Sequence, residues 1–133
     1  SMRYAIMELL QKEQRLLQVV KLVGPDILPH RQRLILETCA MFKNTFLQQS
    51  AFDNIDAYSS SRKQFLMLKS IVKFYEKSDE LIKKGINIAE IKEHQIYQEL
   101  IRMRFKYSES EEDLAKMAEL PSEVERLLGE LEF

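Results

Sequence analysis

The chain has 133 residues, 45% of them apolar, and its 20 basic and 21 acidic side chains leave a formal charge of −1, so one hydrophobic core and one domain are expected at this length. Three glycines and three prolines leave little to build tight hairpins with, and abundant Leu, Lys, Glu and Gln favour helix because straight side chains lose little rotamer freedom there. No run of about 18 apolar residues is present to span a bilayer, no charged-then-apolar leader precedes the body, and the lone Cys39 excludes an intramolecular disulfide and reads as a buried thiol.

In chain order, the first helix is expected over 3–22, where Ile6, Leu9, Leu10, Leu17 and Val20 recur at three-and-four spacing, interrupted only by Glu13. Gly24 and Pro25 end it, because glycine takes cap conformations closed to other residues and proline cannot continue the ladder. Pro29 suits the first turn of a second helix over about 29–48. Its apolar residues Leu34, Ile35, Leu36, Cys39, Met41, Phe42, Phe46 and Leu47 cover more than one face, which predicts a central position.

Residues 49–58 have no period. Ser59, Ser60 and Ser61 offer cap oxygens to a third helix over 62–84, closed by Gly85. Phe65, Leu68, Val72 and Tyr75 form one row on it, and Met67, Ile71, Phe74 and Leu81 the next. Asn87 and Glu90 have capping-box spacing, opening a fourth helix over 88–105 that would bury Ile91, Leu100, Ile101 and Met103.

Past Tyr107 the charge changes. Residues 1–107 carry 18 basic and 12 acidic side chains, residues 108–133 two and nine. The run from Ser108 to Asp113 puts carboxylates where they oppose a helix macrodipole, so short helices are expected over 111–119 and from Pro121 to about Gly129, the latter with Val124, Leu127, Leu128 and Leu131 on its apolar side. The expected organisation is an all-α compact bundle of four main helices plus one or two short C-terminal ones: a body over 1–107 and an acidic tail over 108–133, packed on it or extending from it. In the body, Lys and Arg alternate with Glu and Asp along helical faces, which speaks against a nucleic-acid partner.

Nothing in the chain points to chemistry carried out alone. It contains no Gly-x-x-x-x-Gly-Lys-Ser/Thr phosphate cradle. His30 and His94 are 64 positions apart with no His or Cys at ligand spacing, so no metal site is expected. A histidine at a helix start, such as His30, reads as an exposed polar residue. Carboxylate pairs such as Asp53 with Asp56 and Glu90 with Glu93 read as surface charge or caps, and Phe42, Phe46, Phe65, Phe74 and Tyr75 as core. No catalytic residue is assigned.

Two stretches nevertheless stand out: Leu22-Val23-Gly24-Pro25-Asp26-Ile27-Leu28-Pro29, and Phe46-Leu47-Gln48-Gln49-Ser50-Ala51-Phe52-Asp53. Arg31-Gln32-Arg33-Leu34-Ile35-Leu36-Glu37-Thr38, Lys63-Gln64-Phe65-Leu66-Met67-Leu68-Lys69 and Phe74-Tyr75 follow in the same register. In this order they resemble the C-terminal helical domain of the catalytic A subunit of V-type and archaeal-type rotary ATPases, with the likeness concentrated in the first 85 residues. Ser50 stands where the family has asparagine, and Ala57, Ser59 and Ser60 also depart from its pattern.

The resemblance implies a nucleotide-binding domain immediately N-terminal, which would supply the missing phosphate loop. It implies no cofactor in this chain and ATP or ADP with Mg in the full-length protein. The implied partners are that domain, the B subunit and the central stalk, in a head that is cytoplasmic and peripheral to the membrane without inserting into it. Coupling of ATP hydrolysis or synthesis to stalk rotation and to proton or sodium transport is implied as well. Two sites follow residue by residue. Residues 24–33 would form a tip contacting the stalk through Asp26, Ile27, Leu28, His30, Arg31 and Arg33, with Ile27 and Leu28 exposed. Gln49, Ser50, Ala51, Phe52 and Tyr58 would lie at the adenine ring, where an aromatic face supplies stacking area and amides read the base edge. The competing reading is a free-standing helical adaptor that binds a partner helix.

Overall fold

A computed structural model describes residues 1–46 and 61–132. These residues form helices only: α1 (Met2–Val23), a 3-10 turn (Pro25–Ile27), α2 (His30–Phe46), α3 (Ser61–Lys83), α4 (Ile88–Glu93), α5 (Gln95–Lys106), α6 (Glu111–Ala118), α7 (Leu120–Leu128) and a closing 3-10 turn (Gly129–Leu131).

α1 and α2 are antiparallel. Glu13 and Lys43 face each other across them at 2.6 Å, and the positions midway between the two fall in the connecting turn. The turn begins at Gly24, whose φ of 85° and ψ of 161° lie in a region essentially restricted to glycine. This is an extended exit with positive φ, not the left-handed helical cap that the Gly-Pro pair suggests. The Gly24 N–H still donates to the Val20 carbonyl at 2.8 Å, completing the last turn of α1.

α3 is the spine. Met67, Ile71, Phe74 and Leu81, one of the two apolar rows expected on this helix, are all fully buried, and α3 packs most extensively against α7 and α2. The other row lies at the margin: Leu68, Val72 and Tyr75 are partly buried, while Phe65 is 51% exposed and so is not the core residue its spacing suggested. α3 ends in a Schellman motif. Gly85, at φ 102°, lets its own N–H reach the Ile82 carbonyl and the Ile86 N–H reach that of Leu81, both at 3.0 Å.

The expected fourth helix is two helices. Asn87 and Glu90 form the capping box at its start, but the chain leaves helical geometry at His94 (ψ 142°), whose Nδ1 accepts the Ile96 N–H at 3.1 Å and caps α5. On one continuous helix at about 100° per residue, Ile88 and Ile91 would point about 60° to 180° away from Ile96, Leu100 and Met103. The break turns both sets into the core, where all five are buried. Ile101, expected inside, is on the exposed side.

Residues 108–132 close the bundle. Ser110 caps α6 by accepting the Asp113 N–H at 3.1 Å, while the Asp113 carboxylate accepts the Ser108 N–H at 2.7 Å; hydrogen bonding from Ser108 holds the Asp113 carboxyl below its ordinary range. Leu114, Met117, Leu120, Val124 and Leu128 are buried. Glu132 then accepts from Lys84 at 2.7 Å and Lys77 at 3.3 Å, fastening the end of the chain to α3.

Glu13, Lys63 and Arg104 are buried charged residues that periodicity did not single out. Glu13, which interrupts the α1 stripe, is only 5% exposed and is neutralised by Lys43, whereas Leu17 of the expected stripe is exposed. Lys63, 2% exposed, donates from α3 to the carbonyls of Arg104 (2.8 Å) and Tyr107 (2.7 Å) at the end of α5. Those carbonyls lie beyond the reach of the helix's own N–H ladder, so the ammonium completes α5 from outside.

Candidate functional site

The turn over 24–33 is the first candidate. Its surroundings are more apolar than the turn alone suggested, because the last turn of α1 contributes Leu22, 86% exposed, and Val23, while the 3-10 turn contributes Ile27, 63% exposed. Asp26 is exposed beside them. Leu28 corrects the expected exposed pair: it is 6% exposed, folded inward as the 3-10 turn closes through a Leu28 N–H to Pro25 carbonyl bond of 3.2 Å. Exposed leucine, valine and isoleucine near one helix end are a candidate interaction surface, since folding leaves most of that area in water. Leu22 and Val23 stood in the sequence as the start of the Gly-Pro-Asp motif stretch and were not among the expected tip residues.

The basic residues of the turn have different environments. Arg33 is partly buried and Arg31 exposed, but Arg31 does not stand free. Its Nε donates to Asp79 Oδ1 at 2.8 Å and its Nη2 to Oδ2 at 3.3 Å, a two-point clamp onto α3. Lys83 approaches the same carboxylate at 3.3 Å. Burial pushes the Asp79 carboxyl up, yet hydrogen bonds from Arg31 and Lys83 outweigh it and leave the group below its ordinary range. Asp79 had no sequence signal, being one acid among 21. His30 is half-buried, not exposed, and its Nδ1 is buried without a hydrogen-bond partner.

The second candidate, Gln49, Ser50, Ala51, Phe52 and Tyr58, lies outside the described residues. The residues flanking it on either side, Phe46 and Ser61, line one groove of about 460 Å³ together with Arg3, Ile6, Met7, Phe42, Gln64, Phe65 and Leu68. Phe42 and Phe46 pack there with ring centroids 5.0 Å apart. This explains Phe65 chemically: it walls an apolar groove instead of filling the core.

Cys39 is buried, and burial followed by the nearby Glu13 charge raises its thiol to about 12, so it is no nucleophile. Among the described residues no three His, Cys, Asp or Glu side chains converge as metal ligands, and no helix is long and apolar enough to cross a membrane.

Residues 1–92 match the family model described as the C-terminal domain of V and A type ATP synthase. The chain belongs to that family. It is 42% identical over 131 residues to the V-type ATP synthase alpha chain of Halothermothrix orenii, covering 98% of this chain and 22% of the relative. It is 45% identical over 120 residues to the A subunit of the A-type ATP synthase of Ignicoccus hospitalis, covering 89% and 20%. The corresponding protein of Methanopyrus kandleri matches at 39% over 131 residues, 98% of this chain and 22% of the relative. The chain thus spans about a fifth of the length of these relatives. Their similarity also runs through the acidic tail, beyond the 85 residues in which the motifs concentrate. The family match does not favour a free-standing adaptor.

Proposed function

We propose that this domain is the mechanical arm of the catalytic polypeptide in a rotary ATP synthase or ATPase. In the parent protein, a nucleotide-binding domain hydrolyses or makes ATP, with Mg, at an interface with a B subunit. The helical domain moves with that site, and its tip bears on the central stalk, linking the chemistry to rotation and to proton or sodium transport. The complex's soluble head, peripheral to the membrane, is where the domain works.

The observation that carries this reading is the exposed apolar tip, Leu22, Val23 and Ile27, at the end of an antiparallel helix pair in a chain of this family. Asp26 and Ile27, with Arg33 and His30 behind them, are the proposed stalk-facing residues. Gln49 and Phe52 are the proposed adenine contacts, with Ser50, Ala51 and Tyr58 beside them; the support for these is the resemblance of their motif. Bound nucleotide would favour one position of the domain, and the stalk would feel that population shift as torque.

The test replaces Leu22 and Ile27 together by Asp in the full-length protein, assembled with its partners. ATP hydrolysis should persist within a few-fold while ions moved per ATP fall sharply. Normal coupling in that variant would remove the tip from the mechanism.

A further inference from the structure

A lever transmits force only if its angle to the body is held. α1 and α2 meet each other through an apolar seam and the Glu13–Lys43 pair; α2 also packs along α3 and, further from the tip, its Glu37 accepts from Lys92 of α4 at 2.8 Å and from the Tyr97 hydroxyl of α5 at 3.0 Å. At the tip end, the first turn of α2 is tied across to α3 by the Arg31 guanidinium on Asp79. α3 is the element onto which α7 packs and to which Glu132 is fastened through Lys77 and Lys84, so it represents the body of the domain.

We propose that Arg31 and Asp79 form the brace that fixes the tip against α3 under load, and that Arg31 is a positioning residue and not itself a stalk contact. This deepens, and rests on, the reading of the domain as an arm.

Three features suit the pair to the task. A planar guanidinium bonded at two points constrains angle as well as distance, which a single point charge does not. Asp79 is itself steadied from its own helix by Lys83, one turn further on, so the acceptor is preset. The partly buried Tyr75, one turn before Asp79, lies close enough for its phenol to feel both charges, and burial and the Asp79 carboxylate together hold that phenol protonated to higher pH. A ligand role for Arg31 at the stalk would require breaking the clamp, whereas a brace requires keeping it.

The experiment uses the full-length protein in its assembled complex. Three variants are compared: Arg31→Glu, Asp79→Arg, and the double exchange. Hydrolysis rate and ions moved per ATP, or torque in single-molecule rotation, are measured for each.

Each single reversal should leave hydrolysis within about twofold and lower coupling by at least about twofold, and the double exchange should recover most of the loss. Loss in Arg31→Glu alone, with Asp79→Arg coupling normally and no recovery in the exchange, would make Arg31 a stalk contact and overturn the brace. Wild-type coupling in both single variants would overturn it too. The Leu22, Ile27 tip variant separates the levels: if it also couples normally, the arm reading itself has failed, and if it uncouples while the pair variants do not, the brace alone has failed. Should a charge reversal prevent assembly, Asp79→Asn, which keeps shape and one acceptor, gives the same readout with a smaller expected loss.

Discussion

Replacing Lys63 by Met tests whether a buried ammonium completes α5. Methionine keeps the unbranched length and removes three donors, leaving the carbonyls of Arg104 and Tyr107, now bonded at 2.8 and 2.7 Å, without this partner at a position only 2% exposed. An unsatisfied buried carbonyl costs about 1–3 kcal/mol, so two would cost about 2–6. Against that, the variant no longer has to take a charge out of water, which returns part of the loss. A net destabilisation of about 2–4 kcal/mol is expected, a large fraction of the roughly 5–15 kcal/mol typical of a domain.

The assay is equilibrium urea denaturation of the chain followed by circular dichroism, with Lys69→Met, exposed on the same helix, as the control. With m of roughly 1–3 kcal/mol/M, the Lys63 variant should shift its midpoint down by about 1–2 M while the control stays within about 0.5 kcal/mol. Amide exchange should rise selectively in the last turn of α5. A Lys63 variant within about 0.5 kcal/mol of wild type, with α5 exchange unchanged, would refute the reasoning, because water would then be serving those carbonyls as well as the ammonium does.

Leu128→Ala in α7, fully buried, should cost about 2–5 kcal/mol and unfold the bundle in a single transition; an independent melting of residues 108–132 would show the tail to be an appendage. Cys39, with its thiol raised to about 12, has a thiolate fraction of only about 10⁻⁴ at pH 8, so maleimide labelling should require unfolding and accelerate with urea; labelling within minutes in native buffer would contradict its burial. The Asp79 carboxyl is lower folded than unfolded, so its contribution is complete above the ordinary carboxylate range and disappears as pH falls through the depressed value. Acid titration of stability should therefore be flattened in Asp79→Asn below about pH 4, and an unchanged profile would show the clamp to be energetically silent.

The sequence by itself determined the local structure wherever one residue's chemistry suffices. Gly24 and Pro25 stop α1, Asn87 and Glu90 open α4 with a capping box, Ser110 and Asp113 start α6, and the 3.6-residue period groups Met67, Ile71, Phe74 and Leu81 into one of the two apolar rows of α3, the row that the fold buries. The family, too, was legible in short ordered motifs. What tertiary structure decided was every position whose fate depends on a residue far along the chain. Glu13 is inside only because Lys43 arrives 30 positions later, and Lys63 only because α5 offers two carbonyls 41 and 44 positions on. Leu28 turned in although the tip reading left it exposed, and Phe65 stayed out although its spacing placed it in the core. His94 broke a helix whose period looked continuous, so that Ile88 and Ile91 could share one interior with Ile96, Leu100 and Met103. Periodicity states which side chains lie along a common face; the neighbouring helix decides whether that face meets a partner, a groove or water, and only the assembled fold supplies the opposing charge or carbonyl that makes burial of a polar group tolerable.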